Sequence, residues 1–291
     1  MMDTKSFGVF ILTHRRPDNV VTLKTLRSCG YNGQVKLVVD NLDPTLDQYI
    51  KRYGDDVIVF SKPETAHLTD VGDNVGTWDC VVYARNICWD LAANLGWAYF
   101  LVLDDDYRGF RFRQKGTNEM CSVAVSKNLD QVFAAFLDYF ASCTSMTSLA
   151  TSQAGDWIGG LTSTGMRRKA MNAFFCATDR RFSFYGRINE DVNAYVCGGR
   201  RGELYLTVMR FALEQMETQK NPGGLTDIYL RLGTYQKSFY TVMYAPSCTQ
   251  VSVMGNLSAE NRQDRLHHFI NWRSAVPKIL REEHRKQRGV G

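Results

Sequence analysis

The sequence ARNICWDLAANLGWAYFLVLDDDY, residues 84–107, contains a helix-like segment, a strand-like segment and three consecutive aspartates. In the helix-like segment, apolar residues recur on one face, and they are Ala84, Ile87, Cys88, Leu91, Ala92 and Leu95. Gly96 suits a C-terminal cap, and the run WAYFLVL that follows is apolar on both faces, as in a strand covered from two sides. Asp104, Asp105 and Asp106 repel one another at the end of this strand, so the sequence predicts that something cationic binds there.

The alternation of strands and helices begins at the start of the chain. Strands are predicted over residues 6–13, 34–41 and 57–62, where short apolar runs stand between polar segments. An amphipathic helix opened by Pro17 separates the first two strands, and the segment DQYIKRYG forms a helix before the third. Buried strands separated by helices predict an α/β fold with a mostly parallel sheet flanked by helices.

After residue 107 the pattern is less regular. Arg and Phe alternate over residues 108–115, as in an exposed β-ribbon, and a long amphipathic helix is predicted at about residues 126–143. Further strands are predicted at about residues 204–213 and 238–245. No repeat, low-complexity segment or linker divides the chain, so we expect one domain whose second half is built onto the first.

The composition is that of a globular protein with a core of ordinary size. Hydrophobic residues make up 44% and charged residues 22% of the chain. The longest apolar run is too short to span a membrane, and the first residues lack the ordered regions of a signal peptide. The eight cysteines form no C-x-x-C pair and no zinc-like spacing with histidine, so we expect free thiols and a cytoplasmic protein.

The net charge of +5 is concentrated near the end of the chain. Residues 262–288 contain eight Lys or Arg residues against three Asp or Glu residues, a difference of five that equals the whole excess. A solvated helical end explains such a run, and so does a surface that contacts a polyanion. The charge pattern alone leaves both interpretations open.

The three aspartates lie where an open parallel sheet binds its ligands. The ligand site of such a sheet is outside the carboxyl ends of its strands, and Asp40, at the end of a neighbouring strand, converges on the same edge. Clustered carboxylates suit a hard divalent cation such as Mg²⁺ or Mn²⁺, which shares its remaining positions with phosphate oxygens. A solvated acidic turn is the alternative, and the aspartates alone do not exclude it.

The order of these motifs resembles the signature of GT-A fold glycosyltransferases. In this chain the signature consists of Ala-Arg-Asn at 84–86 opening a helix, the strand WAYFLVL, and a D-x-D motif at 104–106. The first strand with Thr13 and the second strand with Asp40 agree with it. The resemblance is good over residues 6–107 and looser beyond, and it implies a GT-A (Rossmann-like) α/β fold.

The resemblance also implies a nucleotide-sugar donor, by family habit a UDP-sugar, together with a divalent metal, Mn²⁺ or Mg²⁺. Asp104 would hold the ribose side of the donor and share the metal site with Asp106. The other donor-site residues would be Asp105 beside them, Thr13 and Asp40 at the base, and Arg85 near the sugar or pyrophosphate. A metal bound there would stabilise the charge that develops on the leaving nucleoside diphosphate.

A second carboxylate pair, Glu190-Asp191, opens a short amphipathic helix with Val192, Tyr195 and Val196 turned inward. Carboxylates are favoured at helix N-termini, so simple capping is one explanation. In inverting GT-A enzymes an x-E-D motif at this relative place supplies the general base. The resemblance therefore implies that Asp191 removes the proton from the acceptor hydroxyl and that Glu190 orients the acceptor or Asp191.

Two further elements of the GT-A pattern have counterparts in the chain. The stretch DWIGG resembles an acceptor loop in which Trp157 stacks on a ring and Gly159 and Gly160 allow close backbone approach. A core tryptophan beside a flexible turn is the alternative. GT-A enzymes often complete the metal site with a C-terminal histidine, and His267 and His268 are both candidates for that role.

Basic and aromatic residues alternate in several segments, with Arg111 and Arg113 in the first of them. This alternation suits a surface that contacts phosphates through its basic residues and stacks its aromatic residues on bases, which makes DNA a candidate acceptor. The chain is similar to the bacteriophage TET-associated glycosyltransferases, which decorate 5-hydroxymethylpyrimidines in phage DNA. That resemblance implies 5-hydroxymethylcytosine as the acceptor and, for a phage protein, the host cytoplasm as the location.

Other functions stay open at this point. The mild net charge of +5 is compatible with a polysaccharide or protein acceptor, and a non-catalytic module that binds a nucleotide sugar or DNA is a further alternative. A HAD-like phosphatase also uses Asp-x-Asp, but its nucleophilic aspartate would follow the first strand, where this chain has ILTHRR. Within the single domain of residues 1–291, we expect a nucleotide-sugar-binding half to about residue 107, an acceptor half over about 108–260, and a basic helical tail over about 261–291.

Overall fold

The computed structural model describes residues 6–115, 120–153, 170, 173–215, 236–254 and 265–281. Its first part alternates strands and helices, as predicted from the apolar runs. The strands are β1 (Phe7–Leu12), β2 (Gln34–Asp40), β3 (Val57–Phe60) and β4 (Tyr99–Asp104). The helices are α1 (Val21–Ser28), α2 (Leu46–Tyr53), α3 (Lys62–His67) and α4 (Val82–Asn94), and a 3-10 turn, Gly54–Asp56, precedes β3.

The second part adds strands to the same sheet and helices beside it. The strands are β5 (Tyr107–Lys115), β6 (Met120–Ala124), β7 (Met146–Gln153), β8 (Phe174–Ala177) and β9 (Leu204–Gln215). The helices are α5 (Leu129–Ser142), α6 (Glu190–Arg200) and α7 (236–244). The last described elements are a hairpin of β10 (Thr249–Met254) and β11 (Arg265–Ile270), followed by the short helix α8 (Trp272–Ala275).

One nine-stranded sheet, with the order β3-β2-β1-β4-β8-β7-β9-β5-β6, forms the centre of the molecule. The strand pairings give β5 and β8 the opposite direction to the other seven strands. Helices cover both faces of the sheet, and an apolar cluster lies on each face. One cluster contains Trp89 and Phe100, and the other contains Phe133 and Phe175. The predicted α/β class with a mostly parallel sheet is therefore confirmed.

The parallel strands place the motifs of the first half at one edge of the sheet. In the register of β1 and β4, Leu12 lies beside Asp104, and in that of β2 and β3, Asp40 lies beside Phe60. The carboxyl ends of β1, β2 and β4 consequently meet at a common edge, where ligands of α/β sheets bind. Every residue of β1 is buried, because this strand has packed side chains on both faces.

Three sequence predictions in the second half are wrong. Residues 108–115 belong to β5, which pairs with β6 and β9 inside the sheet and buries Phe110, so they are not an exposed ribbon. Residues 238–245 fall on α7 rather than on a strand. Ser238, Thr241 and Ala245 are buried there at helical spacing, and packing of this face overrides the strand preference of Tyr, Thr and Val.

The predicted basic helical tail is also wrong where the structure describes it. Residues 265–270 form β11, antiparallel to β10, and α8 contains only four residues. Alternation of inward and outward residues explains the strand, because His268 and Ile270 are buried whereas Phe269 is 54% exposed. Of the helices in the described ranges, none combines the length and the apolar character that a membrane crossing requires.

Candidate active site

The three consecutive aspartates do not share one environment, because each side chain has a different partner. Asp105 is 5% exposed and accepts hydrogen bonds from Thr13 Oγ1 (2.8 Å) and from Arg16 Nη1 (3.0 Å). Thr13 in turn lies 2.7 Å from the hydroxyl of Tyr49 on α2. Burial raises the pKa of Asp105, although the nearby Arg16 opposes this effect. Asp105 thus binds the β1 and β4 ends together beneath the site.

Asp40, at the end of β2, is the centre of a second buried ionic cluster. Lys62 Nζ donates to Asp40 Oδ2 at 3.0 Å, and His14 Nδ1 lies 2.9 Å from the same oxygen and 3.2 Å from Asp43 Oδ2. Burial alone would raise the pKa of both carboxyl groups, but His14 and their other hydrogen-bond partners hold both below the usual value. Burial likewise opposes the charge on His14, and the two aspartates still raise its pKa overall. Asp40 is 4% exposed, so His14 covers it.

Asp104 is linked to the second predicted motif by one buried arginine. Arg85, on α4, is 1% exposed; its Nη2 donates to Asp104 Oδ1 at 2.9 Å and its Nε donates to Glu190 Oε1 at 2.8 Å. The guanidinium also lies over the ring of Phe184, 5.6 Å from the ring centroid. The structure therefore brings the D-x-D motif and Glu190 to the two sides of a single cation, although 86 positions separate Asp104 from Glu190 in the sequence.

Asp106 has no cation among its described contacts. Gln215, at the end of β9, donates from Nε2 to both carboxylate oxygens, at 3.2 and 3.4 Å. Burial, and then repulsion from Asp104 and Asp105, raise the pKa of Asp106 to about 7. A carboxylate destabilised in this way by its neighbours is a suitable ligand for a cation from solution.

The donor set fits a hard divalent metal held partly by a substrate. Within the described ranges, no three His, Cys, Asp or Glu side chains form a group that could hold a metal by themselves. Mg²⁺ and Mn²⁺ are commonly held by one or two carboxylates, with water and phosphate oxygens completing the shell. Asp104 and Asp106 supply such a pair of carboxylates at the edge of the sheet.

The second motif is presented by an unusual turn before α6. Asn189 adopts a left-handed backbone conformation with φ 57°, and Gly186 has φ +86° in the same turn. A Cβ on Gly186 would lie 2.6 Å from Asn193 Nδ2, so glycine is required by contact as well as by conformation. The turn aims Glu190 inward to Arg85, whereas Asp191 is half-buried and accepts a hydrogen bond from Val192 N at 2.8 Å. The predicted helix start at Glu190 is confirmed.

The histidine pair lies on β11, near the turn before α6. Asn189 Nδ2 lies 3.5 Å from His268 Nδ1 and donates to the carbonyl of Lys237 at 2.8 Å. His268 is 8% exposed, while His267 lies on the other face of the strand and its Nδ1 approaches the His268 carbonyl at 2.8 Å. Of the two candidates, His268 is therefore the one adjacent to the Glu190-Asp191 motif.

Only some of the predicted acceptor residues lie in the described part of the chain. Trp157, Gly159 and Gly160 lie outside the described residues. Arg111 donates from Nε to Glu214 Oε2 at 2.7 Å, and Arg113 is 3% exposed and donates to the carbonyl of Gln153. Both arginines are held on β5, the strand that pairs with β9, and β9 carries Gln215.

Several residues at this site are absent from the sequence predictions. His14, Arg16 and Lys62 complete the ionic clusters, but neither the run His14-Arg15-Arg16 nor Lys62 belongs to a motif. Arg187 is another, since it is 2% exposed and makes a bidentate pair with Asp73 at 2.8 and 3.0 Å. Arg187 lies in the stretch GRINED, and its closeness to Glu190 in the sequence was the only indication that it belongs to the site. Through its pair with Asp73, Arg187 attaches the segment before α4 to the turn that presents α6.

An α/β sheet with a D-x-D motif at its carboxyl edge, joined by a buried arginine to a Glu-Asp pair, has the organisation of a glycosyltransferase. Comparison of the sequence with family models supports this class directly. The chain belongs to the TET-Associated Glycosyltransferase family, whose model matches residues 7–224. The predicted resemblance is confirmed, and so is the assignment of the chain as a glycosyltransferase. No curated protein matches the chain.

The chain also has distant structural similarity to solved glycosyltransferases. A crystal structure of S. aureus TarS 1-349 aligns with 14% identity and a TM-score of 0.42, over 74% of this chain and 61% of that chain. Glucosyl-3-phosphoglycerate synthase from Mycobacterium tuberculosis, in complex with Mn²⁺, UDP-glucose and phosphoglyceric acid, aligns with 10% identity and a TM-score of 0.45, over 89% of each chain. The same enzyme with Mg²⁺ and UDP aligns with 8% identity and a TM-score of 0.45, over 89% of this chain and 86% of that chain. The family match, rather than these structures, defines the class of the protein.

Proposed function

We propose that the protein transfers a sugar from a UDP-sugar to 5-hydroxymethylcytosine in DNA, with inversion at the anomeric carbon and with Mn²⁺ or Mg²⁺ as cofactor. The observation that carries the proposal is the contact of Arg85 with both Asp104 and Glu190. This contact holds the donor motif and the acceptor motif in one site, as a direct transfer between two bound substrates requires. The family match supports the DNA acceptor.

On the donor side, the nucleotide would lie along the carboxyl ends of β1, β2 and β4. Thr13 and Asp40 are almost completely buried by their protein partners, so they shape the floor of the site. The side chain of His14 is 25% exposed above Asp40, and we assign the direct contact with the base to this residue. Asp104 would face the ribose, and Asp105 would keep the strand ends in place.

The metal would be held by Asp106 and Asp104 together with the diphosphate of the donor, and we assign the histidine ligand to His268 because it lies beside Asn189, the residue before Glu190. As a Lewis acid, the bound metal supplies stabilisation of the negative charge on the leaving diphosphate. Arg85 supplies a fixed positive charge on the opposite side of Asp104 and does not titrate in the physiological range. It also keeps the Asp104 carboxylate oriented when the donor leaves.

Asp191 would act as the general base. Its carboxylate accepts the proton of the acceptor hydroxyl as that oxygen attacks the anomeric carbon, and the bond from this carbon to the diphosphate oxygen breaks. The Val192 N–H donates to Oδ1 of Asp191 at 2.8 Å and so orients the carboxylate. Glu190 is buried, which raises its pKa to about 7 despite the opposing charge of Arg85. We assign to Glu190 the role of orienting Arg85 and the first turn of α6.

The test is an incubation of the purified protein with Mn²⁺, a panel of nucleotide sugars and DNA containing 5-hydroxymethylcytosine, followed by digestion to nucleosides and mass spectrometry. A hexosyl or pentosyl adduct of 5-hydroxymethylcytosine is the expected product. Donor hydrolysis that Asp106→Ala abolishes, without any nucleoside adduct, would keep the transferase and replace DNA by a polysaccharide or protein acceptor. Neither adduct nor hydrolysis would favour a non-catalytic binding module.

A further inference from the structure

A cavity of about 520 Å³ lies at the end of α6 that is opposite to Glu190 and Asp191. Among the side chains that line it are Arg200, Arg201 and Lys278, together with Ser247 and Ser274. The described residues of its lining include no carboxylate. We call this cavity the α6 basic groove. Its charge and its hydroxyl groups are suited to an anion.

Glycines build the groove by allowing two backbones to approach closely. A Cβ on Gly199 would lie 2.3 Å from the carbonyl oxygen of Ala275. Gly202 has φ +100°, and a Cβ there would lie 2.9 Å from the Ile279 carbonyl. Arg281 N donates to the Gly202 carbonyl at 3.2 Å, which fixes the last described segment against the end of α6. The two arginines between these glycines consequently line a groove with a defined wall.

The cations of the groove differ from two other half-exposed arginines, Arg281 and Arg181. Arg281 pairs with Glu203 at 3.3 Å, and Arg181 pairs with Asp90 at 2.6 Å. Arg200, in contrast, donates to the Ser247 hydroxyl at 2.9 Å. Across the described ranges, neither Arg201 nor Lys278 has a carboxylate within ion-pairing distance. Positive charge that the described part of the chain does not neutralise is available to an external anion.

We propose that the α6 basic groove binds the phosphodiester backbone of the DNA acceptor at a distance from the modified base. The inference rests on the proposed function, because it takes DNA as the acceptor. Glu190 and Arg200, the first and last of the 11 residues of α6, are therefore about 15 Å apart along the helix. At a rise of 3.4 Å per base pair, the groove would contact phosphates about four or five nucleotides from the base that receives the sugar.

The test compares Arg200→Ala/Arg201→Ala with the wild type on two hydroxymethylated oligonucleotides. The short one, of about five nucleotides, would reach the active site only, and the long one, of about twenty nucleotides, would also reach the groove. We expect the variant to raise the KM for the long oligonucleotide about tenfold, with kcat and the KM for the short one unchanged. The slope of log affinity against log salt should fall by about one to two, since about two phosphate contacts are lost.

Two controls separate charge in the groove from charge in general and from folding. Lys24→Ala/Lys51→Ala removes two exposed cations from α1 and α2 and should keep the length and salt dependence of the wild type. Arg200→Lys/Arg201→Lys should keep most of the salt slope, because phosphate contacts need charge. An unchanged KM and salt slope in the alanine variant, while the wild type modifies DNA, would overturn the groove assignment alone. A wild type that neither binds nor modifies DNA would overturn the acceptor as well.

Discussion

The molecule contains two clusters of buried carboxylates that differ in how their charge is balanced. At the ends of β1, β2 and β4, the three carboxylates Asp40, Asp43 and Asp105 are contacted by His14, Arg16 and Lys62. Between β4 and α6, a single arginine contacts two of the three carboxylates Asp104, Asp106 and Glu190. In the first cluster the pKa values of Asp40 and Asp43 lie below the usual value, although burial raises that of Asp105, whereas burial and repulsion raise the pKa of Asp106 and of Glu190 to about 7.

This difference separates residues that hold the site together from residues that act on substrates. A balanced cluster is complete in the folded chain and needs no ligand. A cluster with more carboxylates than cations is stabilised by a cation that arrives with the substrate, and perturbed pKa values of this kind are typical of functional sites. The repulsion expected among the three aspartates is therefore resolved differently at each: Asp104 contacts Arg85, Asp105 contacts Arg16, and Asp106 is the one that we propose binds a metal.

The largest effect is expected at the base. Asp191→Asn preserves shape but removes the proton acceptor, so turnover should fall by about a hundred- to ten-thousandfold. Calorimetric affinity for the donor should stay within about twofold, because Asp191 lies on the acceptor side of Arg85. Asp90→Asn, on the exposed face of α4, is the matched control. Turnover close to that of the wild type would remove Asp191 from the mechanism.

Loss of Arg85 should affect stability most. Arg85→Met leaves Asp104 and the buried Glu190 without their shared cation, which should lower the free energy of unfolding by about 3 kcal/mol or more in urea titrations. Arg181→Met breaks an exposed arginine–carboxylate pair, at half-exposed Asp90, and should cost less than about 1 kcal/mol. Adding Glu190→Gln to Arg85→Met should recover part of the loss. Equal costs for the two arginines would show that the charge balance between β4 and α6 is unimportant for folding.

The first half of the fold was predictable because its signals are local. Each strand from β1 to β4 is a short, largely apolar run, and apolar residues recur at helical spacing in α4, so periodicity identified them, although the buried face of α4 also contains Arg85. The residues of α7 and β11 are different, since both segments mix aromatic, polar and basic residues. Their conformations are decided by packing against α6 and β10, which no local pattern contains.

The site residues that belong to sequence motifs were predictable. The residues that only pair with these motif residues in the folded chain were not. Asp104, Asp106, Glu190 and Asp191 stand in recognisable order, and the strand ends placed the first two of them at the edge of the sheet. The link through Arg85 to Glu190 depends on the fold of the second half, and sequence gave Arg85 a role near the donor only. His14 and Lys62 reach Asp40 from β1 and α3, a contact that requires the register of the sheet.

A metal bound at the cluster of Asp104, Asp106 and Glu190 should change stability by an intermediate amount. With Mn²⁺ and UDP at about a hundred times their dissociation constants, the wild type should gain about 2.7 kcal/mol of stability, seen as a rise in Tm. Asp106→Asn should lose most of this gain while folding normally, because the asparagine oxygen still accepts one hydrogen bond from Gln215 Nε2 and the repulsion from Asp104 and Asp105 is removed. Asp55→Asn, exposed before β3 at the opposite edge of the sheet, should keep the full gain. A full gain in Asp106→Asn would exclude Asp106 as a ligand.

The smallest expected effect is the pH dependence of stability that arises from the contacts of His14 with Asp40 and Asp43. The raised pKa of His14 contributes stability that is present below its unfolded pKa of 6.5 and is lost as the pH rises through the folded value. The lowered pKa values of Asp40 and Asp43 contribute stability that is present above 3.8 and is lost as the pH falls. The difference in unfolding free energy between the wild type and His14→Gln should therefore be largest between about pH 4 and pH 6.5 and should shrink in urea titrations at higher pH. His67→Gln, at the exposed end of α3, controls for loss of an imidazole, and a difference for His14→Gln that is constant from pH 5 to pH 9 would show that its contacts with the aspartates are not ionic.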